Sequence, residues 1–279
     1  MRGRRSGLLE GTISYAVLGT LGLIVLFPFY WMIVTSLKSE DQMRSLVSMF
    51  WPSPMNIDNY RQLLSKTEFM SWYGNSVIVA VSSTFVATAI GTIGAYALAR
   101  LKFLGRGFMA SATLITYLVP PSILFIPLYA QIKGLGLSNS LYGLIATYPS
   151  FTVPFVTWLL MGYFESIPEE LEESAMIDGA TRFGAFYRIV LPLAAPGVLA
   201  AALYAFTQAW NEFLYSLVFI TDGRLRTLPV GLASFITGDV YGWGYLMAGA
   251  VLTTLPVIAA YIYLQKYMVE GLTAGSVKG

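Results

Sequence analysis

The chain contains no cysteine and no histidine. The first absence excludes disulfides and thiolate nucleophiles. The second removes imidazole-bound metals, serine–histidine dyads and the paired-histidine helix of metalloproteases. Charge is scarce too: Asp, Glu, Lys and Arg make up 11% of the 279 residues, against about 25% in soluble globular domains. There is no G-x-x-x-x-G-K-[ST] phosphate loop, so nucleotide has no such cradle here. Nor is there a repeat of fixed period, which weighs against a self-contained carrier built from duplicated halves.

What the chain has instead is apolar length. Hydrophobic residues make up 56% of it and the mean hydropathy is +0.64. Residues 11–37, 69–99, 107–132, 134–164, 189–211 and 240–265 hold no Asp, Glu, Lys or Arg. Each tract exceeds the roughly 20 residues that cross a bilayer core, and backbone groups unsatisfied by lipid force such tracts into helices. The predicted spans are 14–36, 73–97, 109–131, 141–163, 194–217 and 245–266. The six apolar tracts carry no carboxylate, so none of the facing pair an intramembrane aspartyl hydrolase needs at depth, and the chain has almost none of the buried charge that an ion-coupled carrier needs.

Arg2, Arg4 and Arg5 at the amino end, with Arg100, Lys102 and Arg106 in the second connection, place both on the cytoplasmic side by the positive-inside rule. Six spans then return the carboxyl end to the same side. The expected division is a cytoplasmic amino end at 1–13, a membrane domain at 14–266 and a cytoplasmic tail at 267–279. The basic start resembles a signal peptide, but its apolar tract is too long and no small-x-small site follows. The fold class is therefore an all-α integral membrane protein.

The connections add detail. "NIDNYRQLL" spaces Ile57, Tyr60 and Leu64 for a short surface helix, or forms an ordered loop. Pro120, Pro121 and Pro127 cannot all sit in a straight helix, since each lacks a backbone donor, so the third span should kink. "GLGLSNS" and "TDGRLRTLPVG" mark turns on the outer side.

One connection is unlike the rest. Residues 165–188 carry six carboxylates against Arg182 and Arg188. Ser166 and Glu169 predict a capping box with Pro168 in the first turn. Glu169, Glu170, Glu172 and Glu173 crowd early turns, where the helix dipole favours negative charge. Leu171 and Ala175 share a face that Met176 or Ile177 extends, Gly179 is a natural stop, and Thr181 can cap a second helix through Phe183, Phe186 and Ile189. An anionic leaflet attracts basic segments by about 1 kcal/mol per Lys or Arg and would repel this one. A groove with basic groups on a soluble partner suits it better, and Leu191 and Pro192 would carry a push from there into the fifth span.

Glu173, Ser174 and Ala175, then Gly179 after three residues, then Ile189, Leu191 and Pro192 after nine more, resemble the conserved cytoplasmic loop of permease subunits from binding-protein-dependent ABC importers. Ser174 is the only departure from that pattern, and Asp178 falls within it. "NSVIVAVSSTFVATAIGTIGAYALARLKF", "IPLYAQIKGLGLSNS", "DGATRFGAFYRIVLPLAAPG" and "AWNEFLYSLVF" resemble the carbohydrate branch, especially the six-span subunit of maltose-type importers, over roughly residues 13–279.

The resemblance implies a type I ABC importer permease fold in a bacterial cytoplasmic membrane, with residues 165–192 as the coupling loop. By that likeness Glu173 pairs with a basic group in a cleft of the ATPase, and Gly179 permits the bend between two helices. No cofactor is expected on this chain, ATP and Mg belonging to two ATP-binding subunits. A second related permease, an extracytoplasmic sugar-binding protein and membrane lipid complete the expected partners, and nucleic acid is not among them. A maltose- or trehalose-like di- or oligosaccharide is the implied cargo, with glycerol phosphate as the alternative; the lack of Lys and Arg in the apolar tracts tilts toward a neutral sugar.

The sugar path is open to two readings. Gln208, Trp210, Asn211, Glu212 and Tyr215 in "TQAWNEFLYS" either face a cavity, where polar side chains in a span belong, or mark the outer interface where Trp and Tyr gather. Residues 220–242 form a plain outer loop or, as the resemblance implies, reach toward the binding protein.

Overall fold

A computed structural model describes residues 2–45, 50–237 and 240–276, with side chains described over 14–45, 50–236 and 242–266. The side chains of Arg2, Arg4 and Arg5 and of the tail 267–279 lie outside the described residues, as do residues 238–239.

Four unbroken stretches are long and apolar enough to cross a membrane: Ser14–Ser36, Phe69–Arg100, Leu141–Glu165 and Trp243–Lys266. Two more are bent pairs, Arg106–Leu118 with Pro121–Gly134 at 99° and Arg182–Leu193 with Ala195–Trp210 at 75°. Counting each pair as one crossing yields the six expected.

The third span departs most from its sequence reading. Its kink is a near right angle at Val119 and Pro120, with Pro121 opening the second arm, so 109–131 is not one rod. Pro120 and Pro121 each lack the amide that would continue the helical ladder. The fifth span also stops short, at Trp210 rather than near 217, and a separate helix follows at Leu214–Phe219.

The chain divides into two compact units. One comprises residues 1–69 and 232–254. Here the predicted short helix exists as Asp58–Lys66, but it buries Leu63, while Ile57 and Leu64 stay exposed. Polar ties set that rotation: Asn59 donates to the carbonyls of Ser36 and Lys38 at 2.9 and 2.8 Å, and the hydroxyls of Tyr60 and Ser36 bond at 2.7 Å. A two-residue antiparallel ladder, Ile236–Thr237 against Val240–Tyr241, is the sole strand pairing among the described residues. The first span leaves Leu18, Leu23, Ile24 and Val25 more than half exposed within the chain, so lipid or another subunit must cover them.

The other unit comprises residues 70–231 and 255–279. Its centre is the helix Pro149–Glu165, where Val156, Leu160 and Phe164 are wholly buried. In lipid the hydrophobic effect does not drive helices together, so close van der Waals packing through small residues must. Gly91 of the second span meets Val156, and Gly197 of the fifth lies against the Tyr163 ring. At either glycine a β-carbon would strike the neighbour. Ala87, Ala95, Ala201 and Ala205 extend the same close approach.

Candidate functional site

The acidic connection folds as a helix over Glu169–Ile177 with Pro168 at its N-cap. The expected capping box does not form. Ser166 turns its hydroxyl back to the Tyr163 carbonyl at 2.7 Å, and Glu169 reaches Arg100 Nη1 at 3.4 Å instead. A carboxylate gains more from a guanidinium than from one backbone amide.

The helix stops at Gly179, whose φ of +91° is left-handed. There the Gly179 amide donates to the Met176 carbonyl at 3.1 Å and that of Ala180 to Ala175 at 3.0 Å, closing a Schellman-type turn. Thr181 caps the next turn by accepting from the Gly184 amide at 3.1 Å. A π-helical turn, Phe186–Val190, and Leu191–Leu193 then lead into the 75° bend before the fifth span. Such wide turns are rare and are frequently found at functional sites.

The buried side of the acidic helix is a charge. Glu172 is 5% exposed and bonded to the second span. One of its oxygens accepts the Tyr96 hydroxyl, and the other lies 3.7 Å from Arg100 Nε, an ion pair too long for a hydrogen bond. Arg100, also buried, donates to the Ile167 carbonyl at the end of the fourth span. Nearby, Arg106 lies 4.0 Å from Glu165 and donates to the carbonyls of Leu98 and Ala99. In sequence Arg100 and Arg106 read only as markers of orientation, and Tyr96 goes unremarked. The available signal was the spacing of Tyr96 and Arg100, one helical turn apart at a span end facing an acidic connection.

Three of the six carboxylates, Glu165, Glu169 and Glu172, are thus matched within the chain. Glu170, Glu173 and Asp178 face outward. Leu171 and Ala175 do not pack inward either. They line an open cleft of about 520 Å³ that gathers the predicted Ser174, Ala175, Asp178, Gly179 and Ile189. Glu173 borders a second cleft of about 270 Å³, beside Arg100, Lys102 and Arg182. Leu191 packs on the core and Pro192 is exposed at the bend, so neither joins that surface. Ile177 (86% exposed), Phe183 (75%) and Tyr187 (63%) of the same segment are exposed as well.

The five predicted path residues separate. Trp210 is buried edge-on to Tyr73 and stacked on Phe206. Tyr215 is buried too, its hydroxyl donating to the Pro121 carbonyl at 2.7 Å. Glu212 accepts the Tyr148 hydroxyl at 2.8 Å and the amides of Tyr215 and Ser216 at 2.8 and 3.2 Å, so it caps the helix Leu214–Phe219. Gln208 and Asn211 remain exposed. Gln208 bonds Tyr204 at 3.2 Å and lines a cavity of about 390 Å³ with Phe155, Tyr163 and Thr207, whereas Asn211 bonds back to the Thr207 carbonyl at 2.9 Å.

The start of the 220–242 stretch is pinned. Asn139 Oδ1 accepts the amides of Thr221 and Asp222, both at 2.9 Å. Trp72 donates to the Gly223 carbonyl and Asn75 to that of Arg224, both at 2.8 Å, and Ser76 accepts the Leu228 amide at 2.7 Å.

Residues 87–273 match the family described as binding-protein-dependent transport system inner membrane component. The trehalose/maltose transport system permease protein MalG of Thermococcus litoralis is 38% identical over 93% of this chain and 94% of its own length. The sulfoquinovosyl glycerol transport system permease protein SmoH of Agrobacterium fabrum is 39% identical over 91% and 89%. The diacetylchitobiose uptake system permease protein DasC of Streptomyces coelicolor is 35% identical over 95% of both. In fold, the chain is similar to a bacterial ABC transporter involved in the import of the acidic polysaccharide alginate, with a TM-score of 0.79 at 24% identity over 94% of this chain and 98% of that one. Four to six apolar crossings among the described residues, an exposed acidic turn, and these likenesses over nearly its whole length place the chain in the sugar ABC importer permeases, as an inner membrane transport subunit.

Proposed function

We propose that this chain is one of two related membrane subunits of an ATP-driven, binding-protein-dependent importer that moves a di- or oligosaccharide of the maltose or trehalose kind by alternating access. Its amino and carboxyl ends and its acidic segment face the cytoplasm. Two ATPase subunits, which hold ATP and Mg, receive that segment, and a sugar-binding protein docks on the opposite side.

The observation that carries this reading is that Glu173, Ile177, Asp178, Phe183 and Tyr187 are all exposed along one short segment. Large apolar side chains exposed on a segment that also carries exposed carboxylates suit a protein interface with a basic rim. When the ATPase pair closes, the segment moves with it, and the cavity turns outward to take sugar from the binding protein. Gln208 and Asn211 are the path residues on this chain, while Trp210, Glu212 and Tyr215 hold the fifth span in shape. The lack of Lys and Arg in the apolar tracts favours a neutral cargo.

Two substitutions test the docking. Glu173→Lys leaves the subunit inserted but abolishes uptake, and normal transport by this variant would refute the assignment. Ile177→Cys should form a cross-link to the ATPase subunit in isolated membranes.

A further inference from the structure

We propose that Tyr96, Arg100 and Glu172 clasp the acidic helix to the second span, so that a displacement of the segment passes into that span through side chains and not along the backbone into the fifth. The inference rests on the docking reading above and adds the route that the motion takes. Glu172, only 5% exposed, is then a positioning residue: it acts by holding the helix that docks.

Two routes lead inward from Glu173 and Ile177. The covalent one runs through a left-handed glycine, a four-residue helix, a π-helical turn and a 75° bend. Each is a point where an α-helix loses its regular hydrogen-bond ladder, so this route is compliant. The side-chain route is short. Glu172 is the helix's one buried residue, and its two oxygens are engaged by residues one turn apart on the second span.

Arg100 makes the joint three-way, since the same guanidinium holds Glu172, Glu169 and the Ile167 carbonyl. The Tyr96 ring packs between Phe164 and Phe186, with centroids 6.0 and 4.4 Å away. The ends of the second and fourth spans and both halves of the acidic segment therefore meet at two side chains. Apolar residues of equal volume would serve stability as well as a buried ion pair does; what the pair adds is a directional bond that fixes one relative placement.

The test uses the complete transporter in proteoliposomes with its binding protein and maltose or trehalose as probe. The parent carries Ile177→Cys, and Glu172→Gln and Tyr96→Phe are built on it. The expected result is that both variants keep the ATPase cross-link and continue to hydrolyse ATP, while sugar taken up per ATP falls roughly tenfold, the scale of a coupling free energy between two sites. Unchanged uptake per ATP in both variants would overturn the clasp and leave docking intact. So would a fall in uptake that only tracks the amount of complex recovered, which is what a purely structural role predicts. Tyr96→Phe, which removes a single hydroxyl, keeps the test open if Glu172→Gln does not assemble. Absence of the cross-link in the parent would remove the docking reading itself, and this inference with it.

Discussion

Glu172 and Glu212 sit at either side of the fifth span in sequence, and each accepts a hydrogen bond from a tyrosine of a different span. Their remaining partners differ in kind. Glu172 faces a buried guanidinium 72 residues away in sequence, whereas Glu212 takes two amides from the helix that directly follows it. Helix amides soften the burial of a carboxylate at a helix start and act only locally. A guanidinium does more, because it also joins segments that the chain order keeps apart. The first arrangement shapes a break in a span, and the second couples one span to a connection.

Removing each partner in turn should expose that difference. Arg100→Met leaves Glu172 buried without its guanidinium and should cost about 3–5 kcal/mol, read as a lowered midpoint in thermal unfolding of the detergent-purified complex; a loss below about 1 kcal/mol would erase the contrast. Glu212→Ala should cost about 1–2 kcal/mol, the worth of a helix cap, and Glu212→Gln less, since an amide oxygen still accepts. If Glu212→Ala matched Arg100→Met in the same assay, the cap would be a clasp as well. Thr181→Ala, which removes the cap inside the compliant route, should cost about 1 kcal/mol and leave uptake per ATP at the parent value. The smallest effect is expected from Glu165→Gln, at most about 0.5 kcal/mol, because its ion pair with Arg106 spans 4.0 Å between partly exposed side chains.

Local signals were legible where the physics is local. Gly179 ends the acidic helix and Thr181 caps the next, as their residue types require. The short helix at Asp58–Lys66 was legible in kind but not in rotation, since Asn59 and Tyr60 choose its inward face by bonds to the end of the first span. Ser166 shows the converse: its capping pattern is intact, yet Glu169 prefers a cation that only the folded chain supplies. Trp210 and Tyr215 have the composition of a sugar platform, and packing makes them core.

Sequence alone determined that this chain crosses a membrane and which connection carries the acidic turn, because apolar length and charge scarcity are properties of consecutive residues. Tertiary structure alone decided that the third span turns through 99°, that half of the acidic residues are matched within the chain, and that Glu172 is buried while Glu173 is not. Adjacent residues on a helix point about 100° apart, and which of the two meets a guanidinium depends on where another span ends.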